Sequence, residues 1–315
     1  MPSPQYRLVT RSDFDGLVCG MLLREAELID EIKFVHPKDM QDGLVPISER
    51  DIITNLPYVA GCYLAFDHHS SEVKRGRGDP RTNHVIDANA PSAARVVYDY
   101  YGGRQAFPKL GRDLMAAVDK ADSARFEPGE ILDPQGWVLL NFLMDSRTGL
   151  GRFRSFRISN YELMMQLIDR CRHLTVEEVL ELPDVRERID LYRAHREPFE
   201  AQLRRCAKAH GKLVELDLRG EETIYAGNRF MIYALFPRCD ISMHVMWGLK
   251  RQNTVFAVGK SILDRGSKVD VGAVCLGYGG GGHKAAGTCQ VVNDRADEVR
   301  MQLIGVLNPG SDGQA

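Results

Sequence analysis

An apolar run, Tyr63-Leu64-Ala65-Phe66, passes directly into Asp67-His68-His69, and no other stretch limits the fold of this chain so closely. A short apolar run reads as a buried strand, and polar groups at the C-terminal mouth of a strand are what an α/β site looks like. Asp supplies hard oxygen and His a borderline nitrogen, which together suit a divalent ion of the Mn, Fe or Zn kind that must meet phosphate oxygens. A solvated strand cap would use the same residues, so the neighbouring segments decide.

Residues 6–10 read as a first strand, and an apolar helix runs from Gly16 to about Ile29. The turn between them is Arg11-Ser12-Asp13-Phe14-Asp15-Gly16. Two carboxylates two residues apart in such a turn can share an ion, and Gly16 allows the chain to turn sharply; an aspartate N-cap is the plainer alternative. Residues 31–36 and 50–54 give the next strands, with 38–48 as loop and crossover, and the second strand ends in Asn55. Residues 62–66 follow, so three segments end in polar side chains that can converge, as for ligands bound outside the C-terminal ends of parallel strands.

Residues 70–83 are basic and rich in Gly and Pro, which predicts an exposed loop able to act as a flap beside the site. Residues 91–98 and 110–122 read as helices, and the second carries Asp122 at its end. From Gly136 to about Lys212 the pattern is mostly helical, with Pro198 expected to kink or interrupt it. Strand patterns return at 212–218, 241–249, 255–260 and 288–292. Between them lies Gly277-Tyr278-Gly279-Gly280-Gly281-Gly282-His283-Lys284. Such a run exposes backbone N–H groups to an anion, with His283 and Lys284 as further donors; a flexible linker is the alternative.

At 315 residues two domains are expected. They are an N-terminal parallel-sheet α/β domain with helices on both faces (1–184), a helical connector (185–211) and a smaller mixed α/β domain (212–315). The 44% apolar and 27% charged content is that of a globular protein, and no apolar run reaches the length of a membrane span. The start of the chain lacks an apolar signal core, so a cytoplasmic protein with no membrane partner is expected. The 7 Cys are scattered without a Cys-x-x-Cys pair and read as core thiols. A net charge of -2 argues against a broad grip on long duplex nucleic acid and favours small anionic ligands.

Asp-x-Asp-Gly after the first strand, Asp-His-His after a later one and Gly-Gly-Gly-His-x-x-Ala-Gly near the C-terminus, in that order, resemble the DHH/DHHA1 phosphoesterases. That family includes single-strand exonucleases, nanoRNases, dinucleotide phosphodiesterases and polyphosphatase-like enzymes, generally manganese-dependent with the site between two domains. The resemblance implies Asp13, Asp15, His68 and Asp122 as metal ligands, with Asn55 as a further oxygen donor. It implies His69 facing phosphate, with Arg11 and Asp67 completing the expected catalytic set. Gly280, Gly281, Gly282 and His283, with Arg265, would hold the distal part of the substrate.

Two departures stand out. Arg11 replaces a ligand two residues before Asp13, and Asn55 stands where a bridging Asp is expected. A guanidinium repels an ion at its position, and an amide bridges two ions poorly. The expectation is therefore one Mn2+ rather than two, with Mg2+ as a substitute, in a phosphodiesterase that cleaves dinucleotides or very short oligoribonucleotides to mononucleotides. An exopolyphosphatase or pyrophosphatase, and a noncatalytic nucleotide-binding protein, are the alternatives; a homodimer is a further expectation.

Overall fold

The first apolar segment is enclosed on both sides. It forms β1 (Tyr6–Thr10), flanked in a five-stranded parallel sheet by β2 (Ile29–Phe34) on one side and by β3 (Asp51–Thr54), β4 (Leu64–Asp67) and β5 (His84–Ile86) in turn on the other. The computed structural model describes residues 5–69, 72–73, 81–153 and 155–308. Most of the expected flap, including Lys74 to Pro80, lies outside the described residues.

The chain divides into two compact units. The first comprises Met1–Arg125 and Pro134–Leu191, the second Phe126–Asp133 and Tyr192–Ala315. The border between Leu191 and Tyr192 falls inside one helix, so the expected connector is shared between the units rather than standing apart from both.

The helices in chain order are α1 (Phe14–Glu25), α2 (Pro37–Gln41), α3 (Ala93–Tyr100), α4 (Arg112–Asp122), α5 (Pro128–Leu132), α6 (Gly136–Met144), α7 (Asn160–Arg170), α8 (Val176–Leu180) and α9 (Pro183–Cys206). Every residue of α1 from Phe14 to Leu23 is buried, as a helix apolar on all sides must be. It packs against α3, α4 and α7. Pro198 lies inside α9, which continues to Cys206 without interruption. One ladder bond is lost at Pro198, but the neighbouring Phe199, Gln202 and Leu203 are buried and hold the helix in register.

In the second unit six strands, β6 (Ala207–His210), β7 (Leu213–Asp217), β8 (Ile241–Trp247), β9 (Thr254–Lys260), β10 (Gly281–His283) and β11 (Ala286–Val291), form a mixed sheet in the order β10-β11-β9-β8-β7-β6. Only β7 and β8 pair in parallel. Helices α10 (Met231–Leu235), α11 (Val271–Leu276) and α12 (Ala296–Leu307) complete the unit. Val271, Cys275, Val299 and Leu303 join Met243, Val245, Phe256 and Val258 in its core. Residues 207–210, expected as helix, are strand because they pair edge to edge with Leu213–Leu216 across a tight turn at Gly211.

Candidate active site

The chain leaves β1 to one side for β2 and returns on the other for β3, so the strand order reverses between β1 and β3. Ligands bind at such a switch point, outside the C-terminal ends of the strands. The two strand ends are tied there: Thr54 donates from Oγ1 to Thr10 Oγ1 at 2.7 Å, and Thr10 Oγ1 donates to the Thr54 carbonyl at 3.2 Å. Arg11 and Asp13 follow β1, Asn55 follows β3, and Asp67-His68-His69 closes β4.

Asp15 sits in the first turn of α1 and is 2% exposed. Its carboxylate accepts from the Ala93 and Ala94 amides at 3.0 and 2.8 Å, at the start of α3. Those amides are helix N-terminal donors with no partner inside α3, so Asp15 both caps that helix and is fixed by it. Gly16 next to it is required for room. A Cβ there would lie 1.9 Å from the Arg11 carbonyl oxygen, so its role is close backbone approach rather than the sharp turn expected from sequence.

Asp15, His68 and Asp122 bring one ligand atom each to within 4.8 Å of one another. His68 Nδ1 is 3.2 Å from the Ala90 carbonyl oxygen, which assigns a proton to Nδ1 and turns Nε2 toward the cluster. That Nε2 is buried and 2.9 Å from Asp122 Oδ2, yet the two lack hydrogen-bond geometry. Two donors aimed beside each other rather than at each other fit a shared cation. Protons are held where such an ion would sit: burial, then Asp122 and Asp13, push the Asp15 carboxyl up to about 8. Burial alone would lower the His68 imidazole, but Asp122, Asp15 and Asp67 raise it to about 9. One nitrogen and two carboxylates suit a divalent cation.

Asp67 is 1% exposed, and its Oδ1 accepts from the His68 and His69 amides at 2.8 and 3.2 Å and lies 2.7 Å from His69 Nδ1. This carboxylate therefore orients His69 through Nδ1. The Asp67 contact, against the effect of burial, raises the His69 pKa and favours the imidazolium. Asp67 acts through His69 as a positioning residue.

Arg11, Asp13 and Asn55 form a separate cluster. Asp13 Oδ1 accepts from Gly16 N at 3.0 Å and from Asn55 Nδ2 at 3.1 Å, and its Oδ2 lies 3.0 Å from Arg11 Nε. Both oxygens of Asp13 are engaged by the protein. Asn55, in the left-handed region at φ 54°, keeps a buried Oδ1 without a hydrogen-bond partner among the described residues. Burial, then Asp122, raises the Asp13 carboxyl, with Arg11 opposing.

The glycine run of the second unit has a definite structure. Gly279 N and Gly280 N donate to the Leu276 and Cys275 carbonyls at 3.0 and 2.9 Å, closing the end of α11. Residues Gly281–His283 form β10, the exposed edge strand. A Cβ at Gly280 would lie 2.1 Å from Thr288 O and one at Gly282 2.3 Å from Ala286 O, whereas one at Gly281 meets nothing within 4 Å. The chain itself accounts for Gly280 and Gly282, whereas Gly281, like Gly279, has open space where a Cβ would stand. Arg265 Nε donates to Ile262 O at 3.2 Å in a separate loop, and His283 Nδ1 accepts from Ala285 N at 3.4 Å.

Several supporting groups were not singled out in sequence: the Ala93 and Ala94 amides, the Ala90 carbonyl, and Asp119, which accepts from Ser92 Oγ and Arg95 beside them. Pro91-Ser92 marked a helix start but not what that start would hold. Arg147, which contributes to the field at Asp13, is another.

A parallel sheet with its switch point lined by Asp15, His68 and Asp122, and a glycine-edged mixed sheet in the second unit, define a metal-dependent phosphoesterase of two units. The chain belongs to the DHH/DHHA1 phosphoesterase family. It is similar to a solved pGpG-specific phosphodiesterase, PggH from Vibrio cholerae, at 61% identity over 96% of this chain and 99% of that one, with a TM-score of 0.85. CDC45 from Entamoeba histolytica shares the fold alone, at 8% identity and a TM-score of 0.51 over 96% of this chain and 95% of that one. No family model and no curated protein matched the chain.

Proposed function

We propose that this protein is a phosphodiesterase of short linear dinucleotides in the cytoplasm, with pGpG as its foremost substrate. The observation that carries the reading is the 61% identity to a pGpG-specific phosphodiesterase over nearly the whole of both chains. The gathered Asp15, His68 and Asp122 support it. A single Mn2+ held by these three residues would supply Lewis acidity at the phosphoryl group and activate water.

The chain's own groups do the rest. Arg11, paired through Nε to Asp13, presents its remaining N–H donors to a nonbridging phosphate oxygen and takes the charge that a second ion would otherwise neutralise. Engagement of both Asp13 oxygens by Gly16, Asn55 and Arg11 supports one ion rather than two. Water oxygen forms the new P–O bond while the bond from phosphorus to the 3′-oxygen breaks. His69, whose imidazolium Asp67 favours, delivers a proton from Nε2 to that departing oxygen, and the proton shed by the attacking water passes to solvent. Gly281 with its neighbours on β10 contributes to holding the substrate.

Purified protein with Mn2+ is to be assayed against pGpG, other linear dinucleotides, cyclic dinucleotides, longer oligoribonucleotides and polyphosphate. Two GMP per pGpG, with polyphosphate and cyclic substrates untouched, is the expected result. Phosphate release from polyphosphate without dinucleotide cleavage would reject the reading.

A further inference from the structure

A cavity of about 330 Å³ opens beside Arg11 in the first unit, between the ends of β1 and β2 and the end of α6. Its size falls within the range of small-molecule sites, roughly 300–1,000 Å³. Phe34, Leu143 and Met164 give it apolar walls, and Arg11, Asp145 and Asn160 supply polar groups. None of these except Arg11 belongs to the metal or phosphate chemistry.

Asn160 is held one way round. Its Oδ1 accepts from Arg188 Nε and Nη2 at 3.3 and 3.0 Å. Arg188 is fully buried and anchored in turn to the Asp184 and Ile158 carbonyls at 2.9 and 2.8 Å. With the oxygen committed, the Nδ2 donors remain. A Cβ built on Gly151, which also lines the cavity, would lie 3.6 Å from that Nδ2, so the donors stand at the cavity wall.

An asparagine free to use both ends pairs with adenine N6 and N7, giving one acceptor and one donor. Asn160 offers donors only, and the purine edge that presents two acceptors, N7 and O6, is that of guanine. Asp145 Oδ1 accepts from Arg147 N and Nε at 2.9 and 2.7 Å, so that carboxylate shapes the wall and Asn160 carries the selection. We infer that this cavity is a base subsite that selects guanine, with Asn160 as the specificity-determining residue and Arg11 on the adjoining phosphate. The inference rests on the dinucleotide reading for its biological meaning, but base binding is measurable without turnover.

The test is calorimetric titration of the Mn2+-loaded protein with GMP and with AMP, alongside kcat/KM for pGpG and pApA. Wild type should prefer guanine by at least about tenfold, the discrimination expected of one good pair of base contacts. Asn160→Asp keeps oxygens for Arg188 but turns donors into acceptors, and should abolish the preference while Mn2+ affinity is unchanged. Gly151→Trp, which fills the cavity, should weaken both nucleotides, again with Mn2+ binding intact. Equal affinity of wild type for GMP and AMP, or guanine preference retained in Asn160→Asp, overturns the subsite. Discriminating GMP binding without hydrolysis of any dinucleotide upholds the subsite and rejects the phosphodiesterase instead.

Discussion

At the scale of single residues, Asp15 has two tasks whose separation is testable. It caps α3 through the Ala93 and Ala94 amides and offers a ligand atom beside His68 and Asp122. Asp15→Asn keeps one acceptor for the cap, so a loss of about 1 kcal/mol in stability is expected. Mn2+ affinity in a calorimetric titration should fall by more than the roughly 10–100-fold typical of losing an outer partner. Asp67 gives a second prediction. Its carboxylate raises the His69 pKa, and a general acid works only while protonated, so activity falls as pH rises through that pKa. Asp67→Asn removes the charge, so the alkaline limb of the kcat profile should move to lower pH and kcat should drop about 10- to 100-fold. An unmoved limb would mean that His69 is not the proton donor. The contiguous Asp-x-Asp and Asp-His-His marked in the sequence where polar groups gather at the strand ends, but not that Asp13 would turn to Gly16, Asn55 and Arg11 while Asp15 turned to His68 and Asp122. The partners that fix them were not legible, since Asp15 meets Ala93 and Ala94 across 78 and 79 positions.

At the scale of elements, the parallel strands and the buried α1 followed from their apolar runs, whereas β5 and β6 did not. β5 has three half-buried residues, and β6 reads Ala-Lys-Ala-His, so pairing with β4 and β7 rather than local pattern makes each a strand. The glycine run was legible as a special loop, but four glycines in sequence do not reveal which of them the chain needs for itself. Gly280→Ala places a methyl 2.1 Å from Thr288 O and should lower the melting temperature, because backbone must move. Gly281→Ala meets nothing within 4 Å and should leave melting unchanged. If a substrate anion approaches β10 there, KM for pGpG should rise in Gly281→Ala with metal affinity intact; unchanged KM would make the whole run structural.

For the whole molecule, the two units should respond to different perturbations. His244 on β8 lies in the second unit, where burial, then Arg229, pulls its pKa down to about 4. An unfolded His takes a proton near pH 6.5, and the folded one resists until about pH 4. Stability is therefore full above about pH 6.5 and is lost as pH falls toward 4, by something of order 3 kcal/mol. Mn2+ binding to the folded first unit adds about 2.7 kcal/mol at a free concentration of 100 Kd. Because His68 and Asp15 must release protons to bind an ion, that gain should grow as pH rises toward 8 to 9. Melting temperatures of wild type, His244→Gln and Asp15→Asn at pH 5 and pH 7.5, with and without Mn2+, separate the two effects. His244→Gln should flatten the acid loss and keep the Mn2+ gain, and Asp15→Asn should keep the acid loss and remove the gain. An Mn2+ gain surviving in Asp15→Asn would place the ion elsewhere, and an acid loss surviving in His244→Gln would move the pH-sensitive group off β8.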